Sequence, residues 1–129
     1  MLGSPQINRY VEDVPRSVEF YAALGFVETF RTPSEGIPIH VELVLDGFKI
    51  GIADVRSARA DHGLDVSADG RAIEVCLWAD DVDAAYVHLL ARGATSMSEP
   101  HDWLGGTLRV AWVADPEGSP IELVQRRDG

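Results

Sequence analysis

The stretch Cys76-Leu77-Trp78-Ala79-Asp80-Asp81-Val82-Asp83-Ala84-Ala85-Tyr86-Val87-His88-Leu89-Leu90-Ala91-Arg92-Gly93-Ala94 decides how the chain is read, because it occurs twice. Its counterpart is Asn8-Arg9-Tyr10-Val11-Glu12-Asp13-Val14-Pro15-Arg16-Ser17-Val18-Glu19-Phe20-Tyr21-Ala22-Ala23-Leu24-Gly25-Phe26. Asp13 matches Asp81, Val14 matches Val82, Ala23 matches Ala91 and Gly25 matches Gly93, at a constant offset of 68 residues. An internal repeat of this kind sets the architecture before any single element is assigned. Each copy reads as strand, helix, stop. The aspartate ends the strand and caps the helix, its carboxylate accepting from exposed N–H groups of the first turn. Pro15 sits early in the first helix, where its missing N–H costs little. Val14, Val18, Tyr21 and Ala22 recur at helical spacing, as do Val82, Ala85, Tyr86, Leu89 and Leu90. Gly25 and Gly93 suit the left-handed position beyond a helix end.

Strand candidates follow each helix. In the first half they are 26–31, 39–45 and 48–53, the last two joined by a tight turn at Asp46-Gly47. In the second half they are 95–97, 107–114 and 119–124, with Asp115-Pro116-Glu117-Gly118 as the turn. The stretch 56–70, rich in Ala, Asp, Ser and Gly, reads as a linker. The expectation is one α+β domain over 1–129, with a βαβββ module at 5–55, a linker at 56–70 and a second module at 71–126.

Composition narrows the function classes. Hydrophobic residues make up 46% and charged residues 25%, ordinary for a globular protein. No apolar run approaches the roughly 20 residues needed to cross a bilayer, and the start Met1-Leu2-Gly3-Ser4-Pro5 lacks the marks of a secretion signal. Cys76 is the only cysteine, which fits a reducing compartment, so a cytoplasmic location is expected. A net charge of −10 repels phosphate backbones and anionic lipid, which argues against nucleic-acid and membrane partners. The same charge attracts cationic small molecules, or simply keeps the protein soluble.

These residues resemble the vicinal-oxygen-chelate superfamily, the glyoxalase, bleomycin-resistance protein and dioxygenase group. Val11-Glu12-Asp13 with Phe20-Tyr21 and Leu24-Gly25-Phe26 is similar to its first helix signature. Ala79-Asp80-Asp81-Val82-Asp83-Ala84-Ala85-Tyr86 with Arg92-Gly93-Ala94 is similar to its second. Asp115-Pro116-Glu117-Gly118-Ser119-Pro120-Ile121-Glu122-Leu123 resembles its closing turn and strand. The resemblance implies two βαβββ modules, each curling into a U-shaped mixed sheet around a cleft. It also implies a homodimer.

Metal-using members of the family carry a ligand on the first and last strand of each module. The family pattern puts the first-strand ligand seven residues before the helix-capping aspartate, which selects Gln6 and Glu74. Aligning the closing strands selects Gly51 and Glu122. Gly51 has no donor side chain, glutamine is a poor ligand, and no histidine occupies any of the four positions. His40 is placed two strands away on the same face as a further donor. The expectation is no cofactor and no tight metal, with weak divalent-metal binding left open.

Strand alternation selects the side chains that share the ligand face: Gln6, Asn8 and Tyr10 on the first strand, and Glu74, Cys76 and Trp78 on its partner. Facing strands add His40, Glu42, Arg109 and Ala111. Tyr10 and Trp78 are either ligand-stacking or packing aromatics. Glu74 and Glu122 are the candidate catalytic acids or bases, since paired carboxylates raise one another's pKa; Arg109 is the alternative salt-bridge partner for them. Trp103, in a loop over 99–106, is a candidate lid anchor or a buried residue. Cys76 lacks an identifiable base and reads as a packing residue. The resulting expectation is a binder of a small cationic or aromatic molecule, similar to antibiotic-resistance proteins of the family and without catalysis. The alternative is a glyoxalase-like or dioxygenase-like enzyme using Glu74 and Glu122.

Overall fold

The computed structural model describes residues 4, 6–69 and 73–127. The expected starts of the two modules at 5 and 71, and the end of the linker at 70, lie outside these residues. The chain forms two compact units, Met1–Ala68 and Asp69–Gly129.

The first unit contains β1 (Ile7–Val11), α1 (Val14–Ala23), β2 (Val27–Thr32), β3 (His40–Leu45), β4 (Phe48–Asp54) and α2 (Val55–His62). Its strands lie in the order β1-β4-β3-β2, with β1 parallel to β4 and the other pairs antiparallel. The second unit contains β5 (Val75–Trp78), α3 (Val82–Ala91), β6 (Thr95–Trp103), a single 3-10 turn at Leu104–Gly106, β7 (Leu108–Ala114) and β8 (Pro120–Arg126). Its order, β5-β8-β7-β6, repeats that of the first. The α+β fold of two βαβββ modules read from the sequence is the fold observed.

The caps act as expected. Asp13 accepts from the Arg16 N–H at 3.1 Å, and Asp81 from the Ala84 N–H at 3.1 Å. Capping of this kind contributes about 1 kcal/mol to a helix. Asp46 and Gly47 take φ of 49° and 80°, the positive pair that a two-residue hairpin turn requires.

Each sheet has one face under a helix. In the first unit α1 packs on β3 and β4, where Val41, Leu43, Ile50 and Ile52 are buried together with Val14, Phe20 and Tyr21. In the second, Ala111, Val113, Ile121 and Leu123 are buried, as are Val82 and Leu89 of α3. Each large apolar side chain so covered contributes roughly 1.5–3 kcal/mol.

Three elements differ from the sequence expectation. The stretch read as a linker begins with α2, capped by Asp54 through the Ser57 N–H at 2.9 Å and closed by Gly63 in the left-handed region. Only Val55 and Ala58 of this helix are buried, so its apolar pattern is too sparse to read. The region 99–106 is not an open loop: β6 continues to Trp103, carrying irregularities in register between Ser96 and His101. Those bulges break the period-two alternation on which the strand assignment relied. Finally, β8 extends to Arg126, two residues beyond the expected end.

Candidate functional site

The sheet face turned away from the helix in each unit collects most of the polar residues selected from the sequence. In the first unit the register aligns Asn8, Gly51, Glu42 and Phe30 in one row, and Tyr10, Ala53, His40 and Thr32 in the next. Gln6 lies just before β1. Its amide nitrogen donates to Asn8 Oδ1 at 2.8 Å and to Glu42 Oε2 at 3.2 Å. His40 Nε2 also lies 3.2 Å from Glu42 Oε2, and Lys49 Nζ lies 3.6 Å from Oε1. Glu42 is thus the centre of a polar cluster. Its pKa is held below the ordinary carboxylate range, first by the Gln6 hydrogen bond and then by that of His40. The Phe30 and His40 ring centroids are 6.3 Å apart, so an exposed aromatic borders the cluster.

In the second unit the equivalent row is Cys76, Glu122 and Trp112, with Trp78, Val124, Val110 and His101 beside it. The Trp112 indole N–H donates to Glu74 Oε1 at 3.3 Å, and its ring stacks on His101 with centroids 6.4 Å apart. Burial, followed by a hydrogen bond that protonated Glu122 donates to Glu74, raises the Glu122 pKa. Glu122 is therefore the carboxyl group on this face that favours keeping its proton. Burial and the same carboxylates raise the Cys76 thiol, which is exposed yet poorly ionised. Trp78 is 60% exposed, and the Arg126 guanidinium carbon stands 4.8 Å from its ring centroid.

Of the candidates, Gln6, Asn8, His40 and Glu42 are joined in the first unit by contacts, with Tyr10 on the same face by register. Glu74, Glu122 and Trp78 share the open face of the second. Arg109 does not join them. Alternation from Trp112 puts Arg109 and Ala111 on the helix-covered face, where Arg109 Nε lies 2.6 Å from Asp83 Oδ2 of α3 and its Nη1 3.0 Å from Asp102 Oδ1. Arg109 is thus neither a ligand-face residue nor the partner of Glu74 and Glu122. The sequence reading counted its register from the wrong parity. Trp103 ends β6, paired with Leu108 and 54% exposed, on a strand held by the Asp102 bridge to Arg109 and Arg127. It is neither buried nor on a free loop.

The sequence pattern does not single out Phe30, Lys49, His101 or Trp112. Period-two counting from His40 and Glu42 would have reached Lys49, and counting from Val110 would have reached Trp112. Arg126 lay beyond the expected end of its strand.

The family's metal is tested by the donors present. Among the described residues no group of three or more His, Cys, Asp or Glu side chains is placed to hold a metal ion. At Gly51 a Cβ would overlap Asn8 Oδ1 and come within 3.1 Å of His40 Cε1, so neighbouring side chains fill the volume a ligand would need. Gln6 commits its amide to Asn8 and Glu42. The first unit's donors do not fit a chelated metal.

Comparison with known proteins agrees with this framework. The chain is 32% identical over 119 residues to an uncharacterized protein of Mycobacterium bovis, covering 89% of this chain and 78% of that one. It is 28% identical over 120 residues to a lactoylglutathione lyase of Escherichia coli O157:H7, covering 92% of this chain and 88% of the lyase. The crystal structure of a glyoxalase-related enzyme from Fulvimarina pelagi superposes with a TM-score of 0.80 at 20% identity, covering 98% of this chain and 89% of that one. The family model for the Glyoxalase/Bleomycin resistance protein/Dioxygenase superfamily matches residues 3–123. With repeat, sheet order and family model in agreement, the chain belongs to the Glyoxalase/Bleomycin resistance protein/Dioxygenase superfamily.

Proposed function

We propose that this member of the superfamily binds a small cationic or aromatic molecule on the open sheet faces of its units, without a tightly held metal. The observation that carries the reading is the open face of the second unit. There an exposed Trp78 lies under Arg126 and shares the face with Glu74, Glu122 and the Trp112–His101 stack. Flat rings supply stacking area and the carboxylates supply attraction for positive charge, the pairing that aromatic cations select. The net charge of −10 favours the same ligands over long range. A homodimer in a reducing cytoplasm and a role in antibiotic resistance belong to this proposal; light scattering tests the first.

The test is a titration of planar cations, including a cationic glycopeptide, followed by tryptophan fluorescence with and without a chelator. Saturable quenching that survives chelation and is lost in Trp78→Ala is the expected result. A flat signal at high ligand concentration defeats the reading.

A second reading rests on Glu122. A carboxyl group whose pKa is raised by burial and by Glu74 is suited to proton transfer beside a carbonyl. Lactoylglutathione lyases stand among the relatives. Turnover of a glutathione hemithioacetal by wild type, and its loss in Glu122→Gln, would favour this enzyme over a pure binder.

A further inference from the structure

We infer that Gly51 changes the chemistry of the first unit's open face, turning a family metal-donor position into a hydrogen-bonding recess closed by Asn8 and His40. Where ligand binding by this face is granted, as proposed above, recognition there runs through Asn8, His40 and Glu42 rather than through a chelated ion.

Gly51 sits within β4 in ordinary strand backbone, so the absence of a side chain is not required by a left-handed turn. What requires it is the neighbourhood. A Cβ at this position would overlap Asn8 Oδ1, lie 3.1 Å from Asn8 Cγ and lie 3.1 Å from His40 Cε1. Two side chains from the flanking strands β1 and β3 therefore close over the glycine.

Neither side chain is idle there. Asn8 Oδ1 accepts from Gln6, the same amide donates to Glu42, and His40 Nε2 meets the second acceptor site on Glu42 Oε2. A side chain at 51 would push Asn8 out of its hydrogen bond with Gln6 and crowd the imidazole that faces Glu42. The cluster and the glycine thus depend on one another. Its donors and acceptors are largely satisfied internally, and a polar cluster in that condition holds its geometry without an ion. A ligand that presents vicinal oxygens for chelation finds no metal there. A ligand that presents N–H groups meets Glu42 Oε1, which faces Lys49 Nζ at 3.6 Å and lies outside the hydrogen bonds to Oε2.

Four variants of the full chain test this, with Ni²⁺, Zn²⁺ and Mn²⁺ each titrated alone by calorimetry. Wild type is expected to take up no stoichiometric ion. Gly51→Ala is expected to lower Tm by roughly 2–6 °C through overpacking, and Asn8→Ala/Gly51→Ala to recover most of that loss. Asn8→Ala/Gly51→Glu, which opens the volume and supplies a carboxylate, is expected to bind Ni²⁺ at least tenfold more tightly than wild type. One equivalent of ion on wild type, with uptake lost in Gln6→Ala, overturns the inference. So does a Gly51→Ala variant as stable as wild type, or a double Asn8/Gly51→Glu variant with unchanged Ni²⁺ affinity. The fluorescence titration of the second unit reads the binding proposal separately, so either can fail alone.

Discussion

Cys76 stands directly across from Glu122 in the parallel pairing of β5 with β8, and its thiol is hydrogen-bonded to that carboxyl group. An exposed cysteine is commonly read as reactive, but this one is held protonated by partial burial and by two neighbouring carboxylates. Iodoacetamide should therefore label Cys76 slowly at neutral pH. Glu122→Gln removes the nearer negative charge while burial persists, and should speed labelling about threefold by releasing part of the upward pKa shift. Mass spectrometry of the labelled protein checks this. An unchanged or slower rate in the variant contradicts the assigned cause.

Glu122 also predicts a pH-dependent stability. Its folded pKa lies above the ordinary value, so the fold prefers its neutral form. The stability this confers is fully present below the usual carboxylate range and is lost as pH rises through the folded pKa. Glu122→Gln should accordingly raise Tm at pH 7 and leave it nearly unchanged at pH 4. Thermal melts across that range read both ends, and a Tm that falls at pH 7 would show that the ionised carboxylate is favoured instead.

Glu42 carries the opposite sign. Gln6 and His40 hold its folded pKa below the ordinary value, so its contribution is present above the usual carboxylate range and fades as pH falls through the folded value. Glu42→Gln should lose stability near neutrality and show a weaker acid dependence than wild type. Parallel acid titrations of the two proteins by circular dichroism make the comparison. Superimposable curves would remove Glu42 from the account.

Asp102 accepts from both Arg109 at 3.0 Å and Arg127 at 2.8 Å, while Arg109 also holds Asp83 of α3. One carboxylate therefore joins the ends of β6 and β7 to the residue that follows β8. Asp102 is half exposed and Arg127 is exposed, though Arg109 is more covered, so the effect on global stability is expected to be small and to shrink with salt. Asp102→Asn should instead increase hydrogen exchange around Thr107 and the turn at Leu104–Gly106, with the α1 amides unaffected. Equal protection in both proteins would mean that the backbone pairing alone fixes this hairpin.

The sequence disclosed the parts that obey a simple period. The repeat, the Asp13 and Asp81 caps and the alternation in β1 and β5 placed Asn8 and Trp78 on their strands, whereas Gln6 and Glu74 fall one residue before β1 and β5. Arg109 failed because nothing local marks whether a strand's first inward residue is odd or even; only the pairing of Trp112 with Glu122 settles that parity. The helix α2 was hidden by its two buried positions, and β6 by bulges that shift its alternation. Asn8 was selected, but its role over Gly51 was not, since an empty position in a sequence does not say which neighbour moves into it.

The matching registers of the two sheets have an evolutionary meaning. Asn8, Gly51 and Glu42 occupy backbone slots that correspond to those of Cys76, Glu122 and Trp112. One duplicated scaffold thus holds an amide, a vacancy and a carboxylate in one copy, and a thiol, a carboxylate and an indole in the other. Drift at three positions can rewrite either half without displacing a strand, which lets new specificities arise in a lineage while its architecture stays fixed.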